Sequence, residues 1–236
     1  MRPYIVINGV SSNTVNGLLI QSLPPITKPQ MRTTTEEIAG RDGDIVTTTG
    51  YKAYDKTISV GLYGDYNVDE IIEYLSQSGE IVFSNELDKY YNFAAYSKVD
   101  YEKLCRFKQA SINFHTQPFK YDNLARIWEQ TNSNTRGVEI DLENKGNVKS
   151  KPTITVTGTG IIRLYINEVM LLVFTLTNNQ TIILNQDGNA TDLYGNFLNR
   201  SVKGDVMKIK FERGYNHLSL RGNVSYYKVE NYSRWL

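Results

Sequence analysis

Hydrophobic and polar positions alternate with a period of two along most of this chain, which is the spacing of half-buried strands. Ile58, Val60 and Leu62 alternate with Thr57, Ser59 and Gly61, and Ala110, Ile112 and Phe114 alternate with Gln109, Ser111 and Asn113. Tyr4-Ile5-Val6-Ile7 runs into Asn8-Gly9, Leu18-Leu19-Ile20 follows a turn-rich SSNTVNG, and Ile81-Val82-Phe83 makes another short strand. Pro24-Pro25 halts regular pairing, and Gln117-Pro118-Phe119 is expected to end the strand before it. One segment changes period. NVDEIIEYLSQSG, residues 67–79, places Val68, Ile71, Ile72 and Leu75 at i, i+3, i+4 and i+7. With Asn67 as N-cap, Glu70 three residues on and Gly79 as the C-terminal stop, it predicts a helix that needs a sheet to lie on.

Past Trp128 the texture shifts. EQTNSNTRGVEIDLENKGNVKSKP, residues 129–152, is rich in Asn, Ser, Gly and Lys apart from a short Val138, Ile140, Leu142 alternation. A domain boundary is expected there, with domains at 1–130 and 138–236 and a linker at 131–137. Strand signals then recur at short intervals: PTITVTG, IIRLYIN, MLLVFTLT, QTIILN, VMKIKF, HLSLRG and VSYYKV. Turns such as Asp187-Gly188, Lys203-Gly204-Asp205 and Arg213-Gly214 separate them, a pattern that predicts a β-sandwich. The fold class is therefore mainly β: an N-terminal β-sandwich with one helix and a long hairpin, followed by an all-β sandwich.

The hairpin is the odd element. TTTEEIAGRDGDIVTTTGY, residues 33–51, has β-prone arms and a Gly40-Arg41-Asp42-Gly43 turn. Its arms, Thr33–Thr35 and Thr47–Thr49, are polar on both faces. A strand with no apolar face has no core to pack on, and its register is weakly set within one molecule. Such a hairpin is not expected to be monomeric.

Composition narrows the function more than it names it. The 236 residues suit one large domain or two modest ones. Residues 1–128 carry 13 Lys/Arg against 15 Asp/Glu and residues 129–236 carry 13 against 10, so neither half is a basic nucleic-acid surface. The single cysteine, Cys105, rules out an intrachain disulfide and a thiolate zinc site. The N-terminal MRPYIVINGV lacks a stretch of signal-peptide type, and the longest apolar run, Val169 to Phe174, is too short for a bilayer, so a soluble protein is expected. The 17 tyrosines favour strands and wet interfaces.

No catalytic constellation emerges. Cys105 in KLCRF reads as a small filler at the start of a strand, although Arg106 beside it would lower a thiol pKa. His115 and His217 stand without a partner motif and read as surface positions. Gly158-Thr-Gly160 lacks the third glycine and the helix of a dinucleotide fingerprint, and reads as a turn between strands. NQDGNATD, residues 185–192, lacks the acidic spacing of a calcium loop. No enzyme, cofactor or metal is expected. A cell-envelope hydrolase ranks last, for want of a nucleophile or metal set. A second class remains open: a carbohydrate-binding module in the C-terminal sandwich, with Tyr194, Tyr226 and Tyr227 as glycan or partner contacts.

Four stretches resemble the distal tail protein (Dit) family of long-tailed phages with non-contractile tails. They are IAGRDGDI; NVDEIIEYLSQSGEIVFSNELDKYY; ASINFHTQPFKY; and NKGNVKSKPTITVTGTG together with FERGYNHLSLRGNVSYYKV, in family order. The resemblance implies a tail-tube-like first domain that closes a hexameric ring around a DNA channel, and a galectin-like second domain. It implies partners: the chain itself, the tail tube protein, a tail-associated hub or lysin protein and a receptor-binding protein, with no membrane and no sequence-specific nucleic acid. It also implies a place at the virion tail tip after synthesis in the host cytoplasm. The second domain leaves little room for the carbohydrate-binding insertions that some members carry. On this reading Thr34, Ile38, Arg41, Asp42, Ile45 and Thr48 are the ring-interface residues, Arg41 and Asp42 being candidates for a charge pair that sets subunit register.

Overall fold

The computed structural model describes residues 2–40, 42–94, 101–131 and 137–236. They form two compact units, one up to Asn123 and a second over Leu124–Trp235. Both are mainly β.

In the first unit the strands are β1 (Ile5–Ile7), β2 (Val10–Ser11), β3 (Leu18–Ser22), β4 (Met31–Glu37), β5 (Asp44–Tyr51), β6 (Tyr54–Leu62), β7 (Gly79–Phe83), β8 (Lys89–Ala94) and β9 (Gln109–Asp122). All but β4 and β5 join one antiparallel sheet in the order β2-β1-β7-β8-β9-β6-β3. The alternation predicted for β6 and β9 holds: Ile58, Val60, Ile112 and Phe114 are buried in one core with Ile5, Ile7, Phe83 and Phe93. Each such side chain contributes about 1.5–3 kcal/mol by leaving water.

Helix α1 (Val68–Leu75) buries Ile71, Tyr74 and Leu75 against that core, and Asn67 caps it by accepting from Asp69 N–H at 3.1 Å. Tyr74 adds a buried hydroxyl that donates to Val10 O at 3.1 Å. The helix stops at Leu75, before the expected Gly79. That glycine opens β7 at φ 132°, where a Cβ would lie 2.3 Å from Asn8 Oδ1. Asn8 accepts there from Glu80 N–H and donates to Ser78 O, both at 3.0 Å, and so ties β1 to the helix exit.

Two expectations for this unit are corrected. KLCRF is not the start of a strand: a second helix, α2 (Tyr101–Phe107), carries Leu104 into the core and leaves Cys105 half-buried. Among the described side chains of this helix only Leu104 is buried, and so short a helix with so few anchors shows no apolar stripe in sequence. Lys108, at φ 58°, then turns the chain into β9. Nor does β9 stop at Pro118. Its pairing with β6 ends at Thr116, and its register against β8 breaks between Phe93↔Thr116 and Tyr91↔Lys120. Gln117, Pro118 and Phe119 occupy that break, where a missing N–H costs no ladder bond.

A polar cluster lies inside the same unit. Lys56 is 3% exposed, with Nζ 4.4, 5.2 and 5.7 Å from the ring centres of Tyr91, Tyr54 and Phe83. Glu86 stands nearby, accepting from Tyr91 OH at 2.7 Å and pairing with Lys120. Burial pushes the Lys56 amine down to about 8, against a partial pull upward from Glu86.

The second unit comprises β10 (Arg126–Thr131), β11 (Val138–Asn144), β12 (Thr153–Ile166), β13 (Val169–Leu184), β14 (Ala190–Thr191), β15 (Val202–Gly204) and β16 (Gly214–Asn231). The order is β10-β16-β12-β13-β14, with β11 also on β16 and β15 also on β13. β10, placed with the first domain in the sequence, pairs with β16 from Arg126↔Asn231 to Thr131↔Tyr226, and Trp128 packs on the second core. Of the proposed 131–137 linker, residues 132–136 lie outside the described residues.

Six of the predicted strands prove to be halves of three long ones. PTITVTG and IIRLYIN are continuous in β12, MLLVFTLT and QTIILN in β13, HLSLRG and VSYYKV in β16. The sequence signals between the halves mark a crease shared by all three. β12 and β13 shift register between Gly158 and Gly160, β12 and β16 between Thr159 and Arg163, and Asn178 and Asn179 take φ 49° and 56°. Gly158-Thr-Gly160 is thus a bend within a strand, not a turn between two. VMKIKF is no strand: Val206–Lys208 is a 3-10 turn, and Val206, Ile209 and Phe211 reach the core at uneven spacing.

The crease depends on close backbone approach. A Cβ on Gly158 would meet Asn223 O at 2.3 Å, and that carbonyl is part of the facing strand. Gly158→Ala is expected to destabilise the second unit by about 2 kcal/mol or more, read as a lower urea midpoint in equilibrium unfolding.

Candidate functional site

The hairpin of β4 and β5 forms a sheet of its own, joined to no other strand of the described residues. Its register runs from Met31↔Tyr51 to Glu37↔Asp44, with Thr33 opposite Thr48, Thr34 opposite Thr47 and a bulge beside Arg32. All of β4 is exposed, and β5 is exposed except for half-buried Ile45, Gly50 and Tyr51. At its base the Tyr51 ring meets the Phe119 ring edge-on at 5.7 Å, and Lys52 N–H donates to Gln30 O at 2.8 Å across the two arms. A two-stranded hairpin without an apolar face is marginal alone. Here both of its outer edges carry unpaired backbone groups, which suit pairing with another chain.

The pairing divides the predicted interface residues between two faces. Thr34, Glu36, Ile45 and Thr47 share one, and Thr33, Thr35, Glu37, Asp44, Val46 and Thr48 share the other. Thr34 and Ile45 therefore come together, and Thr48 points the opposite way. Ile38 is exposed just past β4, and Asp42 is exposed in the turn. Arg41, and with it the expected Arg41–Asp42 charge pair, lies outside the described residues. The sequence reading passed over Glu36, Glu37 and Asp44, which with Asp42 make this end of the hairpin acidic.

In the second unit the glycan candidates separate. Tyr194 is 90% exposed on the loop after β14. Tyr226 is half-buried, its hydroxyl 3.1 Å from Glu129 Oε2. Tyr227 is no surface contact: it is 4% exposed, on the inward-facing side of β16, with its hydroxyl 3.3 Å from Gln130 Oε1. Alternation along the strand places one of two neighbouring tyrosines in the core.

Each histidine has a cross-strand carboxylate. His115 Nδ1 is 2.7 Å from Asp55 Oδ1, and His217 Nδ1 is 2.9 Å from Asp141 Oδ1. Both pairs are substantially exposed and sit at directly opposed strand positions, an arrangement that stabilises sheets. Among the described residues, no group of three or more His, Cys, Asp or Glu is placed to hold a metal ion. NQDGN is a tight turn closed by Asn185 N–H on Asn189 O at 3.0 Å.

Comparison with known proteins points one way. Residues 8–116 match the family described as phage tail protein RIFT-related domain. No curated protein sequence matches the chain. In fold, the chain is similar along its whole length to the Dit protein of phage SPP1, described as a paradigm of the hub adsorption apparatus in phages infecting Gram-positive bacteria. The TM-score is 0.68 at 16% identity, covering 100% of both chains. It is also similar to a chain of the phage p2 baseplate in its activated conformation with strontium (TM-score 0.53, 11% identity, 98% of this chain and 97% of that one). A calcium form of that baseplate gives 0.52 at the same identity and coverage. The chain thus has the fold of these hub and baseplate proteins along its length, and residues 8–116 carry a phage tail domain.

Proposed function

We propose that this chain, with a phage tail domain at residues 8–116 and the fold of a distal tail hub protein from end to end, is a structural subunit of a phage tail tip. Its copies form a hexameric ring that joins the tail tube to the adsorption apparatus and leaves a central channel for DNA. The chain is made in the bacterial cytoplasm and resides in the virion tail. Its partners are its own copies, the tail tube protein, a tail-associated hub or lysin protein and a receptor-binding protein. It carries out no catalysis.

The observation that carries this reading is the hairpin of β4 and β5: exposed along both faces and, among the described residues, paired with no other strand. A ring subunit needs two complementary surfaces related by rotation, and an unpaired edge is one half of such a seam. Thr34, Ile38, Asp42, Ile45 and Thr48 lie on this element, and Arg41 completes its turn in sequence. Glu36, Glu37, Asp42 and Asp44 add negative charge, which repels phosphate wherever it faces a channel and so favours passage over retention.

Negative-stain electron microscopy of the purified protein tests the reading. Rings with a central hole and sixfold averages are expected. A monodisperse monomer by light scattering at micromolar concentration, unchanged when tail tube protein is added, would overturn it.

A further inference from the structure

Two consecutive turns of the second unit follow one plan. Residues 185–189 read NQDGN and residues 192–196 read DLYGN. In each, the first residue's N–H donates to the fifth residue's carbonyl: Asn185 to Asn189 at 3.0 Å and Asp192 to Asn196 at 2.9 Å. The glycine N–H donates back to the first carbonyl at 3.2 Å in both. In each, Oδ1 of the first side chain accepts from the third and fifth N–H groups. Asn185 takes Asp187 and Asn189 at 3.1 and 2.9 Å, and Asp192 takes Tyr194 and Asn196 at 2.8 and 2.9 Å. The two glycines share φ values of 83° and 85°.

This geometry requires an Asx side chain first and a left-handed glycine fourth, and asks nothing of the second and third positions. The first turn fills them with Gln186 and Asp187. The second fills them with Leu193 and Tyr194, 67% and 90% exposed, and Phe197 just beyond is 71% exposed. The neighbouring turn is an internal control: the fold accepts polar residues where this one displays apolar ones. Clustered exposed apolar side chains of this size mark interaction sites more than chance exposure does. The loop is also held in shape. Leu198 N–H donates to Ala190 O and Ala190 N–H to Asn199 Oδ1, both at 2.7 Å, and Ala190 is buried. A preorganised loop loses little conformational freedom on binding.

We propose that the loop 192–197 is a docking prong that seats Leu193, Tyr194 and Phe197 in an apolar, cation-rimmed groove of another protein of the tail tip. This rests on the tail-tip reading above. The chemistry of the loop selects a protein over a sugar or a lipid. A sugar site needs polar side chains free beside the stacking ring, whereas Asp192 Oδ1 is filled by backbone donors and Oδ2 accepts from Asn196 Nδ2 at 2.8 Å. Those hydrogen bonds, that of Asn196 foremost, hold the Asp192 carboxyl below its ordinary range. A fixed carboxylate opposes an anionic bilayer and complements a basic rim.

Hydroxyl-radical labelling of Tyr194 and Phe197, in the free protein and in purified phage tails containing it, tests the proposal. Both residues should react at least fivefold more slowly in tails. Leu193→Gln combined with Tyr194→Asp copies the first turn. It should leave the thermal midpoint unchanged and lower the content of one other tail protein in assembled tails at least tenfold, by quantitative mass spectrometry. Unchanged reactivity in tails that contain the chain overturns the prong. So does equal protection in the purified protein alone, which makes a second copy the occupant. Binding to phosphatidylglycerol vesicles or to purified cell-wall polysaccharide that the double variant abolishes also overturns it. Absence of the chain from tails is a separate result, and removes the tail-tip reading together with the prong.

Discussion

Thr48→Pro and Thr34→Pro should each yield a folded chain, but one of the two should abolish ring assembly. Thr48 pairs with Thr33 and Thr34 with Thr47, and these are successive rungs of one antiparallel ladder. Successive rungs alternate between exchanging their N–H···O bonds and turning those groups outward. Of the two substitutions, one therefore removes a donor inside the hairpin, and the other removes one offered to a neighbour. Leaving a seam's acceptor unmatched costs about 1–3 kcal/mol, a factor of about 5–150 in the association constant at every seam of the proposed ring. Size-exclusion chromatography with light scattering should show monomers for the outward-donor variant at concentrations where the parent is oligomeric. Circular dichroism should remain that of the parent, because the core of the first unit does not include the hairpin. If both variants form rings, the seam lies elsewhere.

Glu86→Ala should destabilise the first unit by about 3–5 kcal/mol, since it leaves charge buried without its counter-charge. Glu86 accepts from the Tyr91 hydroxyl and pairs with Lys120, and both ionic side chains are almost withdrawn from water. It is also the carboxylate that supports the ammonium of Lys56 between its rings. Chemical denaturation of the parent and variant reads the difference directly. The same cluster sets a pH dependence. An unfolded lysine holds its proton to about 10.5, whereas folded Lys56 releases it near 8. Between these values the unfolded state binds more protons, so stability should rise with pH from 8 toward 10, by about 2 kcal/mol once screening is allowed for. The gain should reverse above pH 10. Burial raises the Tyr54 hydroxyl from 10.0 to about 12, and stability held below the unfolded value is lost as pH climbs through the folded one. Lys56→Met should flatten the rising limb and leave the falling one.

What the sequence revealed and what it hid divide along physical lines. Periodicity identified β6, β9 and the buried face of α1, because each presents several apolar residues at a fixed interval. It hid α2, where Leu104 is the one buried residue among the described side chains. It also cut three long strands into halves, since a glycine that bends a strand leaves the same local mark as one that ends it. Only the pairing of Gly158 with Gln180 and Val224 on its two sides tells the cases apart. For the site, the polar Thr arms announced a hairpin with nothing to pack on, and the structure shows it exposed in a sheet of its own. Which threonine shares a face with which isoleucine depended on the register running back from the turn, Glu37 opposite Asp44, a detail that composition does not carry. Tyr194 was legible as an exposed aromatic. Its meaning came from comparison with the turn before it, and that likeness lies in hydrogen bonds more than in letters. Tyr227 misled for the opposite reason, because adjacent residues on a strand face opposite ways.

The acidic end of the hairpin also bears on the time before assembly. On the proposed reading, newly made chains wait in a crowded cell, each with two open strand edges, and such edges are the usual seeds of insoluble stacking. Glu36, Glu37, Asp42 and Asp44 lie toward the end of those edges, and Glu37 and Asp44 face each other across the rung. Stacked copies in register would bring like charges within a strand spacing of one another, at every layer. On that reading the carboxylates near the turn should keep waiting subunits in solution, and leave the edge to a geometry that holds them apart.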